Sequence, residues 1–313
     1  MWVGVCAEMI ITHITAGMGN QMFMYAAGLA VSQRLHTELR LNNWEVRFNK
    51  SRPYTLSCFP NITERQASFW EIWRLCPSMA VADLISYKPI KKSDILRRII
   101  RKIIIKFFPT HEIKSKTVYA PVDSNIYSPA FNNITDNTYI RGFWESEKFF
   151  ADIKDLIREK FQFSAECFNP ELLQKVQSCN SVALHVRRGD KTSWNNFTER
   201  TYYYLQNALP KIFTLVENPH FFVFSDDIDW CKENLPQIHE ANYTFIEGQT
   251  PPQDMALMTI CKNVIIAPST FSWWGAWLNK NPDKIIIAPD INLWGTNYEN
   301  RRDYLLEEWI KIS

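Results

Sequence analysis

Residues 185–190 combine side chains that could bind a phosphate group and move a proton. The run His-Val-Arg-Arg-Gly-Asp directly follows residues 181–184, a short apolar stretch typical of a buried strand. Ligands of open α/β sheets bind at the carboxyl ends of the strands, and an arginine there can hold a phosphate through two parallel hydrogen bonds. Asp190 could orient an arginine or accept a proton. A surface ion-pair cluster of Arg187, Arg188 and Asp190 is an alternative explanation.

The surrounding sequence predicts the elements that must position this run. Strands and helices alternate in the second half of the chain, which is typical of a parallel sheet. The predicted strands are 181–185, 220–225, 243–246, 263–267 and 284–288, and the predicted helices are 199–216, 229–235, 252–261 and 271–279.

The first half of the chain opens with a strand–turn–helix pattern. A strand is predicted at 9–15, a glycine-rich turn follows at 16–20, and a helix is predicted at 21–35. This is the opening of a Rossmann-like domain, whose turn exposes backbone N–H groups to a ligand. Two glycines are also explained by a simple tight turn. A strand at 139–143 and a helix at 146–161 are predicted to end this half of the chain.

Length and composition predict two domains and a reducing compartment. The 313 residues exceed the usual size of one domain, and 46% of them are apolar, which excludes wholesale disorder. The domains are predicted at 1–165 and 166–313. A formal net charge of +2 and the absence of a nucleic-acid motif indicate no nucleic-acid partner. The seven cysteines are scattered and form no Cys-x-x-Cys pair, so neither a zinc site nor a disulfide framework is expected.

Residues 95–108 have the spacing of an amphipathic helix with one basic face. The stretch 88–116 has ten Lys and Arg residues against two acidic ones, which gives a local net charge of +8. Peripheral contact with an anionic membrane is one interpretation, and packing into the first domain is the other. The chain has no run of about twenty apolar residues, so no spanning helix is expected. We therefore predict a cytoplasmic protein, peripheral at the membrane, with residues 1–8 as an extension before a natural start at Met9.

Several stretches together resemble one enzyme family. Residues 185–190 match the H-x-R-R-x-D motif shared by α1,2-, α1,6- and protein O-fucosyltransferases. Residues 17–23 (Gly-Met-Gly-Asn-Gln-Met-Phe) and 268–277 (Pro-Ser-Thr-Phe-Ser-Trp-Trp-Gly-Ala-Trp) resemble blocks of the α1,2 branch. Residues 139–147 and 225–227 follow the family's order as well. The resemblance runs from about residue 10 to the end, and the chain is identified as a member of glycosyltransferase family 11.

This resemblance implies a fold and a reaction. The fold is α/β of GT-B type, with two Rossmann-like domains facing a cleft, and the second domain binds GDP-fucose. The reaction is inverting transfer of L-fucose from GDP-fucose to the 2-hydroxyl of a terminal galactoside on a glycan. Transfer with another linkage (α1,6 or protein O-linked) is an alternative, because H-x-R-R-x-D is shared among these classes. A glycan-binding homologue without catalytic activity is the other alternative.

The resemblance also assigns roles around the nucleotide. Arg187 is expected to clamp the β-phosphate, while Arg188 makes structural pairs. Asp226 is expected to recognise guanine, which presents two adjacent N–H donors, and a structural role stays open for it. His185 either contacts the nucleotide or packs within its strand.

A second group of candidates lies at the starts of two predicted helices. Ser269, Thr270 and Phe271 could bind phosphate through hydroxyl and N–H groups, or the hydroxyls could simply cap the helix. The tryptophans after them are expected in the core. In the first domain, Asn20 is expected to face the donor sugar and to take part in catalysis, and Gly19 and Gln21 are expected to contact the donor beside it.

The general base and the metal requirement depend on carboxylates. Asp190 is the nearest carboxylate to the phosphate clamp, and a base and a structural role stay equally open for it. An ion pair with an arginine would lower its pKa and weaken it as a base. Asp226 and Asp227 superficially resemble a metal site, but the family assigns the carboxylate there to guanine. We therefore expect no metal and no cofactor, with fixed N–H and guanidinium donors stabilising the leaving group.

Overall fold

A computed structural model describes residues 8–47, 49–86, 117–193, 196–236, 241–290 and 301–312. The chain divides into two compact units. The first comprises Met1–Ser57 and Asn61–Lys160, and the second comprises Cys58–Pro60 and Phe161–Ser313. The predicted basic helix at 95–108 lies outside the described residues, as does most of the predicted extension at 1–8.

The first unit is built on a four-stranded parallel sheet. Its strand order is β2-β1-β4-β3, and every neighbouring pair is parallel. The strands are β1 (Met9–His13), β2 (Glu38–Asn42), β3 (Val118–Tyr119) and β4 (Thr138–Ile140). The helices described in this unit are α1 (Met18–Leu35), α2 (Trp44–Arg47), α3 (Phe69–Leu75), α4 (Pro77–Ser86) and α5 (Lys154–Lys160). All five residues of β1 are buried, as expected of a central parallel strand covered on both faces.

Helix α1 packs closely against strand β1, and this contact positions the turn between them. The Thr12 hydroxyl donates a hydrogen bond of 3.0 Å to the Met24 carbonyl oxygen. A Cβ atom at Gly28 would lie 2.8 Å from the Thr12 Cβ, so a glycine at this position lets the helix approach the strand. The turn before the helix contains Ala16 at φ 62°, in the left-handed region that favours glycine.

The second unit is built on a six-stranded parallel sheet. Its strand order is β10-β9-β8-β5-β6-β7, and all neighbouring pairs are parallel. The strands are β5 (Asn180–Val186), β6 (Pro219–Ser225), β7 (Asn242–Phe245), β8 (Asn263–Ile265), β9 (Ile286–Pro289) and β10 (Ile310–Ile312). The helices described in this unit are α6 (Pro170–Gln177), α7 (Phe197–Phe213), α8 (Ile228–Asn234), α9 (Pro251–Ile260) and α10 (Thr270–Trp277).

The tryptophan-rich block forms part of the core of the second unit, as expected. Trp273 and Trp274 are completely buried, and Trp277 is nearly so. Their rings contact one another, and the Trp273 indole Nε1 donates a hydrogen bond to the Tyr304 carbonyl oxygen at 2.6 Å. Helix α10 is therefore held firmly, and its first residues occupy a fixed position beside the sheet.

The predicted α/β class with two parallel sheets is confirmed, and one predicted element is wrong. Residues 146–161 do not form a continuous helix. Two short 3₁₀ segments (Glu147–Phe149 and Ala151–Ile153) precede helix α5, because the backbone leaves helical geometry at Phe150, with φ −138° and ψ 23°, between the two segments. The short strands β3 and β10 carry too few residues for an alternation pattern to show them. No helix in the described part of the chain is long and apolar enough to cross a membrane.

Candidate functional site

The carboxyl ends of β5 and β6 bring Arg187 and Asp226 together. In the register of the two strands Val186 lies opposite Ser225, so the residues that follow them, Arg187 and Asp226, also lie side by side. The Arg187 Nη1 and the Asp226 Oδ2 are 2.7 Å apart. The side chains are 32% and 27% exposed, so the ion pair is partly shielded from water. The two residues predicted to grip phosphate and guanine separately are therefore partners of each other.

Asp226 also fixes the backbone of the loop that follows β5. Its Oδ1 accepts a hydrogen bond of 2.8 Å from the Arg188 backbone N–H. Gly189 adopts φ 28°, and a Cβ atom at this position would collide with the Asp226 Oδ2. Both carboxylate oxygens of Asp226 thus contact the β5 loop. The guanine contact assigned to Asp226 stays a prediction. The contacts that the structure shows stabilise the β5 loop.

Arg188 makes a separate set of contacts. Its Nε lies 2.9 Å from the Asp227 Oδ2, and its guanidinium carbon lies 4.0 Å from the centre of the Trp230 ring. Asp227 in turn caps helix α8 by accepting a hydrogen bond from the Trp230 backbone N–H at 3.3 Å. These contacts give Arg188 a structural role that ties the β5 loop to the start of α8.

His185 is buried one residue before the end of β5. Its ring lies 5.6 Å from the ring of Phe271, measured between centroids. Burial lowers the pKa of His185 from 6.5 to about 3, and the positive charge of Arg187 acts in the same direction. The ring is therefore neutral at physiological pH. Its Nδ1 is buried and finds no hydrogen-bond partner within the described part of the protein.

Ser269 and Phe271 lie where β8 leads into helix α10. The Ser269 hydroxyl caps the helix by accepting a hydrogen bond of 3.3 Å from the Phe271 N–H. The Ser272 hydroxyl accepts another, of 3.2 Å, from the Ala267 N–H. The capping role that the sequence left open for Ser269 is the one shown here. The partial positive charge of a helix start is also suited to an anion.

The first unit contributes Gly19, Asn20 and Gln21, which lie in the first turn of α1. The Gln21 Nε2 donates to the carbonyl oxygens of Ala16 and Pro53, each at 2.9 Å. Its Oε1 accepts from the Thr55 N–H and hydroxyl at 3.0 and 3.1 Å. The amide group of Gln21 is thus fully used in joining the turn to residues 53–55, which makes it a positioning residue. Asn20 is half-buried at the same helix start.

The side chain of Asp190 lies outside the described residues. Its backbone belongs to a short 3₁₀ helix, Gly189–Ser193, that follows the Arg187–Arg188 pair. The choice between a base and a structural role for Asp190 therefore stays open. No group of three or more His, Cys, Asp or Glu residues that could hold a metal ion occurs in the described ranges.

The arrangement in the second unit is suited to binding an anion. Strands β8, β5 and β6 are neighbours in the sheet, and their carboxyl ends carry the α10 helix start, the His185–Arg187 run and Asp226. Arg187 is oriented by Asp226, and a neutral His185 lies beside it. A guanidinium group has five N–H donors, so one contact with Asp226 does not exclude a two-pronged phosphate contact. The pairing itself was missed by the sequence reasoning, although both residues follow predicted neighbouring strands.

Comparison with known proteins gives a consistent result. The family model described as Glycosyl transferase family 11 matches residues 9–313. An Alpha-1,2-colitosyltransferase from Escherichia coli is 34% identical over 318 residues, which cover 98% of this chain and 99% of that protein. The O-antigen biosynthesis glycosyltransferase WbnK from Escherichia coli is 27% identical over 96% of this chain and 99% of its own length.

Two further matches are partial or distant. Galactoside alpha-(1,2)-fucosyltransferase 1 from Homo sapiens is 30% identical over 161 residues, which are 44% of this chain and 42% of the human protein. Among solved structures, NodZ alpha-1,6-fucosyltransferase soaked with GDP-fucose aligns with a TM-score of 0.49 and 16% identity, over 92% of this chain and 96% of that chain.

The buried His185 predicts a pH dependence of stability. Its pKa is about 3 in the folded protein and 6.5 when exposed, so between these values the unfolded chain binds one more proton. The contribution of neutral His185 to the free energy of unfolding should therefore be fully present above pH 6.5. As the pH is lowered this contribution should be lost, by about 2 kcal/mol between pH 7 and pH 5. Urea unfolding of the wild type and of His185→Gln at both pH values measures this difference. An equal loss of stability in the two proteins would contradict the assignment.

Proposed function

Since the chain belongs to glycosyltransferase family 11, we propose that it is an inverting α1,2-fucosyltransferase. The reaction moves L-fucose from GDP-fucose to the 2-hydroxyl of a terminal galactoside on a glycan. The observation that carries this proposal is the anion site at the ends of β5, β6 and β8, where Asp226 orients Arg187 beside the start of α10.

Breaking the bond between fucose and GDP leaves negative charge on the diphosphate. Donors that are already oriented toward this charge stabilise the transition state without reorganising. Arg187 is such a donor, because its guanidinium is held at 2.7 Å by Asp226 and its strand is buried. The α10 helix start supplies further positive partial charge. Together they support the proposal that the leaving group departs without help from a metal ion.

A second candidate differs in the donor sugar. The relative that is 34% identical over nearly all of both chains is an Alpha-1,2-colitosyltransferase. Colitose is L-fucose without the 3-hydroxyl, so one hydroxyl group on the donor separates the two candidates. The α1,2 linkage is common to both, and the partial match to the human α1,2-fucosyltransferase supports fucose as the sugar. Two other functions stay as alternatives. They are transfer with α1,6 or protein O-linkage, and glycan binding without transfer.

The test compares GDP-fucose with GDP-colitose on the same galactoside acceptor. A pocket that hydrogen-bonds a hydroxyl rejects the analogue lacking it by about 10⁴, whereas an apolar pocket rejects an added hydroxyl by only about 10². We expect kcat/KM for GDP-fucose to exceed that for GDP-colitose by at least about a thousandfold. NMR of the product should show a 1,2 linkage. Preference for GDP-colitose would establish the second candidate, and GDP release that does not depend on acceptor would refute transfer.

Replacing Arg187 tests the phosphate contact. Arg187→Ala should lower kcat by about a hundredfold to a thousandfold, the usual effect of removing one oriented donor. Arg187→Lys should remain strongly impaired, because lysine keeps the charge but loses the planar fork. Arg188→Lys is the matched control, and since it can still pair with Asp227 it should lose less than about tenfold. Near-normal turnover of folded Arg187→Ala would exclude the assigned role.

Metal independence has its own test. Because the oriented guanidinium and helix start can stabilise the diphosphate, activity should survive exhaustive treatment with EDTA. The assay compares initial rates before treatment, after treatment and after adding back manganese or magnesium. If activity disappears and either metal restores it, Asp226 and Asp227 must be reinterpreted as metal ligands.

A further inference from the structure

The carboxyl edge of the first unit's sheet carries a polar network that the proposed function does not use. The network contains His13 at the end of β1, Asn42 at the end of β2, Tyr139 in β4, Asp83 in α4 and Glu45 in α2. His13, Asn42, Tyr139 and Asp83 are buried, whereas the Glu45 side chain is 49% exposed. Since ligands of parallel sheets bind at this edge, the exposed end of the network lies at the edge where a substrate is expected.

Hydrogen bonds join the buried members of the network. The Asn42 Nδ2 donates to the Asp83 Oδ2 at 2.8 Å and to the Tyr139 Oη at 2.9 Å. The Asn42 Oδ1 accepts from the Trp44 N–H at 3.3 Å, which fixes the orientation of the amide. The Tyr139 Oη lies 3.0 Å from the Nδ1 of His13, and since it accepts from Asn42 its own proton is available to donate to that nitrogen.

This arrangement directs the other ring nitrogen of His13 toward Glu45. With Nδ1 accepting, the ring proton lies on Nε2, which is 3.4 Å from the Glu45 Oε2. The hydrogen bond with His13 lowers the pKa of Glu45 below its usual 4.5, with burial acting in the opposite direction, and the Thr15 hydroxyl and the charge of Arg141 lower it further. Glu45 is therefore an ionised carboxylate at physiological pH, and its hydrogen bonds with His13 and Thr15 hold it in one orientation.

A carboxylate has about four lone-pair sites, and His13 and Thr15 account for two of them. A half-exposed carboxylate with two acceptor sites left is suited to a pair of neighbouring hydroxyl groups. In a terminal galactoside C1 is linked to the rest of the glycan and the 2-hydroxyl is the one that reacts. The 3- and 4-hydroxyls are then the only adjacent ring pair that stays available for recognition.

We infer that Glu45 binds the 3- and 4-hydroxyls of the acceptor's terminal galactose and that His13 is the positioning residue behind it. The inference rests on the proposed function for the identity of the acceptor. It makes Glu45 a determinant of specificity, because the 4-hydroxyl is axial in galactose and equatorial in glucose and mannose. The buried part of the network, from Asp83 through Asn42 and Tyr139, keeps the His13 ring in the orientation that directs Nε2 outward.

The experiment measures acceptor recognition in the full-length protein in two ways. Ligand-observed NMR titration with methyl β-galactoside and its 3-deoxy and 4-deoxy analogues needs no donor. Steady-state kinetics with GDP-fucose then give the acceptor KM, the donor KM and kcat. The variants are Glu45→Ala and Glu45→Gln. The matched control is Glu38→Gln, which changes an exposed glutamate at the opposite, amino end of β2.

Wild type should bind each deoxy sugar about tenfold more weakly than the parent galactoside, since each lacks one hydrogen bond to a charged group. Glu45→Ala should raise the acceptor KM by about tenfold to a hundredfold and should no longer distinguish the three sugars. Glu45→Gln keeps one acceptor oxygen, so its acceptor KM should lie between those of wild type and Glu45→Ala. The donor KM and kcat should change little, and Glu38→Gln should match wild type.

His13 needs a test that a general loss of structure would not imitate. His13→Leu removes the donor to Glu45 and should raise the acceptor KM, whereas His13→Gln retains an N–H donor and should restore part of the affinity. A folding defect alone lowers the active fraction, and therefore the apparent kcat, without changing the acceptor KM.

Three results would overturn the inference. They are an unchanged acceptor KM in Glu45→Ala, a collapse of kcat at constant acceptor KM, and wild-type binding that does not distinguish the deoxy sugars. Failure of the proposed function looks different. Wild type would then transfer no fucose while Glu45-dependent galactoside binding in the NMR titration still supports the acceptor site.

Discussion

The ion pair between Arg187 and Asp226 is the constraint on which the rest of the second unit's site depends. It joins the ends of two adjacent strands, fixes the β5 loop through the Arg188 N–H, and requires glycine at position 189. The neighbouring pair of Arg188 and Asp227 is likewise neutral overall. The four side chains therefore carry no net charge, and binding of a diphosphate must come from the orientation of donors and from the α10 dipole more than from excess positive charge.

The sequence predicted those parts of the fold that local pattern determines. The apolar runs before Arg187 and Asp226 predicted buried parallel strands, because strands covered on both faces read as continuous apolar stretches. The tryptophans after Phe271 were predicted in the core rather than as ligand contacts, and they lie there. The break within residues 146–161 was not predicted, because the apolar spacing of that segment fits a helix while the backbone at Phe150 ends the first turn.

Side-chain pairing across the sheet could not be predicted from local pattern. Arg187 and Asp226 are 39 positions apart, and only the register of β5 against β6 brings them together. Gln21 lies in a motif that resembles a donor contact, yet its amide is fully hydrogen-bonded to Ala16, Pro53 and Thr55. Ala16 adopts a left-handed backbone conformation, which is strained in a residue other than glycine, and spacing alone does not indicate this.

The two sheets present carboxylates that are held in opposite ways. In the second unit both oxygens of Asp226 are directed into the β5 loop, so the group offered beyond it is the arginine that it orients. In the first unit His13 and Thr15 hold Glu45 from behind, and the carboxylate itself is half-exposed. One edge therefore offers a cation and N–H donors, as a charged nucleotide sugar requires. The other offers a hydrogen-bond acceptor, as the hydroxyl groups of a neutral sugar require.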